Sequence, residues 1–343
     1  MPKKEWAVYH EEYGVRLLTP IERTWLAGVI DGEGSIYISK VKDKRSRRGF
    51  FYKPFLSVSN SDTNLVSKVR EIIGAGFVGT KKEKRFDWKD RCEFKGQGSV
   101  LRGVLPQILP HLVIKQEVAR RMLEFLEFVE TESIDGSEQV PLGYHEKLDS
   151  LYWRVKELNQ KGKDPPETEL ALGRIPFNPN KRMPGNRVRN CRHLDELERA
   201  WLAAVIDGEG SIFLSKVINS AYRRGFYYRP EFLVSNSNRQ FLIKIAQIIG
   251  EGTVHRAKRG EGGAKTRWEY IASAGVLRAI LPQILSCLVV KKDRAQKMLE
   301  YFEFIDTHPL WGLKEVDPAY YEALDSLYSK LKRLNRKGKS EIR

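Results

Sequence analysis

The sequence predicts an α+β protein made of two copies of one domain, and three observations carry that expectation. A chain of 343 residues is long for a single core and ordinary for two domains. The stretch "WLAGVIDGEGSIYISK" at Trp25 returns as "WLAAVIDGEGSIFLSK" at Trp201 with three of its sixteen letters changed. Within each copy the apolar spacing moves between helical and two-residue periods, in the order helix, two strands, helix, two strands, then helices.

The copies run at a constant offset of 176 positions. "RRGFFYKP" at Arg47 meets "RRGFYYRP" at Arg223, "VSNS" at Val58 meets "VSNS" at Val234, and "VLRGVLPQILPHLVIKQ" at Val100 meets "VLRAILPQILSCLVVKK" at Val276. "LDSLYWRVKELNQKGK" at Leu148 likewise meets "LDSLYSKLKRLNRKGK" at Leu324. Solenoid repeats have periods of roughly 20–50 residues, so a repeat this long is a duplicated domain. The expected division is a first unit over 1–160, a linker over 161–192 that is rich in Pro, Gly and Asn, and a second unit over 193–343.

Each element has its own sequence reason. Thr19-Pro20-Ile21-Glu22 is a capping box with Pro at the first helical position, and Asp195-Glu196-Leu197-Glu198 occupies the same place in the second copy. The helices should stop near Gly32 to Gly34 and Gly208 to Gly210, where glycine adopts left-handed or extended backbone angles. Gly28 and Gly32, with Ala204 and Gly208, put small residues four apart, a spacing that predicts close packing of the two repeated helices on each other. Ser35 to Ser39 alternates with period two, with Ile36 and Ile38 on one face. A loop carrying Lys42, Lys44, Arg45, Arg47 and Arg48 leads to a second strand ending at Ser59-Asn60. "GAGFVGTKKEKRFDWKDRCEFKG" reads as a turn and a basic hairpin, and Leu101 to Leu109 and Glu117 to Val129 have helical spacing.

Composition narrows the partners. Lys and Arg number 60 against 44 Asp and Glu, a net charge of +16 that favours a polyanion. No apolar run reaches the roughly 20 residues of a membrane span, and the N-terminus lacks the apolar core of a signal peptide, so an intracellular protein with no membrane partner is expected. Cys92, Cys191 and Cys287 are odd in number and far apart, which reads as unpaired, buried thiols. The histidines show no zinc-binding spacing.

Each repeated helix delivers acids to its C-terminal end, Asp31 and Glu33 in one copy and Asp207 and Glu209 in the other. A carboxylate there meets the negative pole of the helix at a cost of about 0.3–1 kcal/mol. A divalent cation would offset that cost, and carboxylate, water and substrate-phosphate ligation suits Mg²⁺, with Mn²⁺ able to take the same ligands. Paired metals at a phosphodiester would activate water and neutralise the leaving oxygen.

"LAGVIDGEG" from Leu26 and "LAAVIDGEG" from Leu202 resemble the two motifs of the LAGLIDADG homing endonucleases in their single-chain form. The resemblance extends over nearly all of both repeats. It implies two pseudo-symmetric αββαββα units with saddle-shaped antiparallel sheets that straddle duplex DNA and cut both strands across the minor groove, leaving short 3′ overhangs. The metal-binding acid of the family falls on Glu33 and Glu209, with Gly32 and Gly208 beside them as further metal positions, while Asp31 and Asp207 are expected to serve local capping and packing. The family's basic residue and amide near the attacking water fall on Lys115 and Lys291 and on Asn60 and Asn236. No protein partner is required; an intron RNA is a further partner the resemblance allows, and a maturase or transcription regulator on the same fold is the alternative function.

Comparing the copies with each other shows where they diverged. Leu56 and Val58 match Phe232 and Val234, whereas Phe55 and Ser57 become Glu231 and Leu233, on the opposite face of the strand. A face that changes on a fixed scaffold is expected where each half reads a different half-site. The candidate DNA-reading residues are Tyr37, Ser39, Lys53, Ser57 and Lys81 in the first copy, and Phe213, Ser215, Arg229, Glu231, Arg259 and Trp268 in the second.

Overall fold

The computed structural model describes residues 12–82, 90–132, 141–159, 191–257, 267–310 and 316–335, which fall into two compact units. Residues 160–190, which hold all but the last two positions of the linker expected over 161–192, and Arg259 lie outside the described residues. In the first unit the elements are α1 (Pro20–Glu33), β1 (Gly34–Lys42), β2 (Phe50–Asn60), α2 (Thr63–Ile73), β3 (Phe77–Lys81), β4 (Arg91–Gln97), α3 (Gly98–Ile108), α4 (Gln116–Thr131) and α5 (Tyr144–Leu158). The second unit repeats them as α6 (Glu196–Glu209), β5 (Gly210–Ile218), β6 (Phe226–Asn236), α7 (Arg239–Ile249), β7 (Thr253–Arg256), β8 (Trp268–Ala272), α8 (Ala274–Ile284), α9 (Lys292–Thr307) and α10 (Pro318–Leu334).

Both capping boxes form as the sequence predicts. The Thr19 side chain accepts from the Glu22 N–H and the Glu22 carboxylate accepts from the Thr19 N–H, and Asp195 and Glu198 make the same exchange. Each unit then folds its strands into a four-stranded antiparallel sheet, in the orders β1-β2-β4-β3 and β5-β6-β8-β7.

Register sorts the side chains into two faces. Ile36 pairs with Leu56, and Val58 with Phe94, and all four are fully buried on the helix-covered side. Burying a large apolar side chain contributes about 1.5–3 kcal/mol, so a one-residue slip of this strand set would forfeit most of the core. The second core is assembled on the same register from Ile212, Phe232, Val234 and Tyr270. Tyr270 replaces the Phe94 of the first copy, and its hydroxyl donates to the Glu251 carbonyl at 2.7 Å, so the added polar atom is satisfied in the interior. Gly252 has φ +103, and a Cβ there would lie 2.4 Å from the Tyr270 ring, which explains the second glycine of each "GxG" turn.

Long-range hydrogen bonds hold the layers in place and explain phrases that the two copies share. Gln107, 3% exposed, accepts from the Leu18 N–H at 2.8 Å and donates to the Arg16 and Gly103 carbonyls, locking the segment before α1 onto α3; Gln283 accepts from the Leu194 N–H at 2.8 Å. Asn159 and Asn335, just past α5 and α10, donate to the Ile36 and Ile212 carbonyls at 2.8 and 2.9 Å. Of the three thiols only Cys92 is buried; Cys191 and Cys287 are half-buried in irregular segments next to helices, and none of the three is in a disulfide. Among the described residues no helix is long and apolar enough to cross a membrane.

Candidate active site and nucleic-acid interface

The junction between α1 and β1 places the acid. Helix passes to strand with no loop, Glu33 being the last helical residue and Gly34 the first of the strand. Gly34 is extended (φ −82°, ψ 161°), and a Cβ would sit 2.7 Å from both the Cα and the carbonyl oxygen of Ile30. The glycine is therefore required by close approach of backbone to backbone, and Gly210 meets Ile206 in the same way. Glu33 and Glu209 are half-buried at these junctions, with Gly32 and Gly208 in the turn before them.

Two further side chains converge on each helix end. Asn60, the last residue of β2, donates through Nδ2 to Glu33 Oε1 at 3.1 Å, and its Oδ1 accepts from the Asp62 N–H at 2.8 Å, which fixes the amide orientation. Asn236 is held by the Asn238 N–H at 2.8 Å and stands 3.5 Å from Glu209 Oε1. Lys115 donates its ammonium to the Asp31 carbonyl at 2.5 Å, and Lys291 does the same to Asp207 at 2.5 Å. Lys291 is only 6% exposed, so these lysines are built into the helix end and are not solvated side chains of the next helix. A cation there complements the negative end of the macrodipole.

Asp31 and Asp207, both 1% exposed, do cap, but over a long range. Asp31 accepts from the N–H groups of Val113, Ile114 and Lys115 at 2.7, 3.0 and 2.9 Å, and Asp207 from Val289, Val290 and Lys291 at 2.6, 3.0 and 2.8 Å. Burial pushes both carboxyls above the usual range, while the backbone donors and the adjacent lysine pull the other way by favouring the charged form.

The donor set fits a divalent cation completed by a substrate. Among the described residues no three His, Cys, Asp or Glu side chains form a cluster, so an all-protein cage is not what these residues offer. Each copy instead presents one glutamate, oriented by an amide, at a half-buried helix end. One or two carboxylates with waters and substrate phosphates is the coordination Mg²⁺ usually takes.

The sheet face opposite the core carries most of the predicted readers. Tyr37 pairs with Phe55 and stacks on it at 5.5 Å between centroids, Ser39 pairs with Lys53, and Lys81 lies near the end of β3 opposite Arg91. Phe213 pairs with Glu231, and Ser215 with Arg229. Ser57 shares this face but is 6% exposed, so neighbouring side chains cover it, and its hydroxyl does not present itself to a ligand.

Trp268 is a correction. It alternates in phase with the buried Tyr270 and pairs with Asn236, so it lies on the helix side of the sheet, where the Arg239 guanidinium sits 5.0 Å over its ring. The residues that do project outward from β4 and β8 are Arg91, Glu93, Lys95 and Gln97 on the one and Glu269 and Ile271 on the other. Sequence reasoning passed over them, although alternation outward from a buried Phe94 was the available signal. Lys95 is bonded to Glu93 at 2.9 Å, which with nearby Tyr37 raises its pKa.

Residues 26–99 match the family model described as LAGLIDADG endonuclease. Solved structures with the same fold include I-SmaMI bound to uncleaved DNA target in the presence of calcium ions (TM-score 0.63, 16% identity, 92% of this chain and 99% of that one). They also include the I-SmaMI LAGLIDADG homing endonuclease bound to cleaved DNA (0.63, 16%, 94% and 99%). The homing endonuclease I-GzeII in complex with its DNA target is a third (0.62, 14%, 93% and 100%). No curated protein sequence matches the chain. The twin acid-bearing helix ends on twin α+β sheets thus define a LAGLIDADG fold. The first unit carries the match to the LAGLIDADG endonuclease model, the second unit repeats its sequence and its elements, and the fold of the chain is that of the two-motif LAGLIDADG homing endonuclease structures.

Proposed function

We propose that the protein is a site-specific double-strand DNA endonuclease. It cleaves a long asymmetric duplex target across the minor groove by metal-assisted hydrolysis and leaves short 3′ overhangs. The observation that carries this reading is the assembly, made twice, of a glutamate, an amide and a lysine at the C-terminal end of a helix. Two strands need two such sites, and a mere binding protein has no use for either.

In this reading Glu33 and Glu209 are the residues that would hold Mg²⁺ or a similar cation, with substrate phosphate completing its ligands. When bound, that cation lowers the pKa of water and stabilises the leaving oxygen. Asn60 and Asn236 orient the glutamates, and Lys115 and Lys291 bring positive charge to the pentavalent phosphate. The basic and aromatic outer faces of the sheets bind backbone and base edges. Gly32 and Gly208 lend backbone flanking the acids.

The test is selection from a randomised duplex library with Mg²⁺, sequencing both cut ends and the bound, uncut fraction. One long asymmetric sequence cut on both strands supports the endonuclease; enrichment by binding without any cutting overturns it and favours the regulator or maturase. Glu33→Gln and Glu209→Gln should each slow cutting of one strand by about 10²-fold or more while DNA affinity stays largely intact.

A further inference from the structure

We infer that Asp31 and Asp207 are positioning residues for the two hydrolytic sites, each fixing one lysine beside one glutamate and so governing the cleavage of one DNA strand. The inference rests on the endonuclease reading above.

The geometry is a closed loop of hydrogen bonds. Asp31 spends Oδ2 on the Val113 N–H and Oδ1 on the Ile114 and Lys115 N–H groups, the donors that precede α4 and that no helical carbonyl can satisfy. The Lys115 side chain then turns back, and its ammonium binds the main-chain carbonyl of that same Asp31. A lysine chain with four rotatable bonds is thereby fixed at both ends by one residue, which also stands two positions before Glu33 in the last turn of α1. Acid and lysine, 82 positions apart in sequence, share one rigid reference point.

The second copy repeats every contact through Asp207, Val289, Val290 and Lys291, each within 0.1 Å of its counterpart. The hairpin residues around β3 and β7 diverged freely over the same duplication, so this loop was retained while readers changed. A purely structural cap need not return the lysine to the residue that caps it. Misplacement of a reacting group by about 1 Å can cost roughly 10²-fold in rate.

Strand-resolved cleavage separates positioning from folding. Full-length protein and a supercoiled plasmid bearing the selected target are used, with each strand labelled. The wild type should linearise the plasmid. Asp31→Asn should accumulate nicked circles, always cut on the same strand, with the other strand slowed about 10²-fold, and Asp207→Asn should spare the opposite strand.

Apparent DNA affinity should change by less than about threefold, because the aspartates do not lie on the reading face. Amide exchange at 113–115 should accelerate in Asp31→Asn, and at 289–291 in Asp207→Asn. If an Asn variant fails to fold, Asp31→Glu and Asp207→Glu keep the charge but shift the capped loop by one methylene, and the same strand-specific slowing is expected. Equal slowing of both strands, or unchanged cutting in a folded variant whose amide exchange has accelerated, overturns the inference. A wild-type protein that cuts no DNA refutes the endonuclease reading instead.

Discussion

Arg229 and Glu231 form a pair that the first copy lacks, and on the proposed endonuclease reading that difference would give the two half-sites different readers. Both lie on the outer face of β6, and Nε and Nη2 of Arg229 reach Glu231 Oε1 at 2.8 and 2.6 Å. The first copy has Lys53 and Phe55 in these places, with the ammonium 5.5 Å over the ring. A guanidinium held by a carboxylate is a fork suited to the O6 and N7 of guanine, whereas an ammonium over a ring is a point charge without that selectivity. Arg229→Ala should relax the preference at one base pair of one half-site by about 1–3 kcal/mol and leave the other half-site unchanged, as read by sequencing cleaved library members. An unaltered base preference would remove Arg229 from the readers. At this scale the sequence was legible where chemistry is local. The repeated phrase marks Asp31 and Glu33 together and only the family resemblance singles out Glu33, while the partners of Asp31 lie 82 to 84 positions away and no spacing rule reaches them.

The β1–β2 hairpin and α5 are clamped together by one aspartate, and the same device recurs between β5–β6 and α10. Asp149 accepts from Arg48 at 2.6 Å and from the Tyr52 hydroxyl at 2.7 Å, while Tyr52 stacks on Tyr152 at 4.4 Å; Asp325, Arg224, Tyr228 and Tyr328 repeat the set. Arg48, counted among the basic residues of the loop, is thus committed to the scaffold. Although burial alone would raise it, the Arg48 and Tyr52 hydrogen bonds hold the Asp149 carboxyl below its usual range, and Arg224 leads in doing the same for Asp325. A depressed folded pKa means stability that is present above the unfolded value near 4 and lost as pH falls through the folded one. Asp149→Asn should therefore cost on the order of 1 kcal/mol at pH 7, a modest figure because the site is partly solvated. The difference from wild type should shrink below about pH 4 in denaturant titrations; a constant difference would show that the clamp acts through shape alone. The order of elements and both capping boxes were readable from periodicity and end signals. The placement of Trp268 was missed, because it depends on where alternation starts in a short strand; in-phase alternation with the aromatic Tyr270, the counterpart of Phe94, was the one clue, and pairing with Asn236 fixes the phase.

For the molecule as a whole, charge is the property the sequence declares most openly. A surplus of +16 predicts strongly salt-dependent binding, since each neutralised phosphate releases a counterion. DNA affinity measured by anisotropy should fall about 10³-fold or more between 50 and 200 mM salt, and a loss under tenfold would mean that the surplus lies off the binding face. The anchors of the first unit, from Gln107 on Leu18 to Asn159 on Ile36, are complete once Asn159 has been made. Its last strap, the Asn159 bond, closes on the first strand of that same unit, so the order of synthesis and the order of closure coincide. At a ribosomal pace of roughly 5–20 residues per second, the second half takes on the order of ten seconds or more to follow. In that interval the nascent first half can settle by itself, before a second copy of the same fold emerges to compete for its strands.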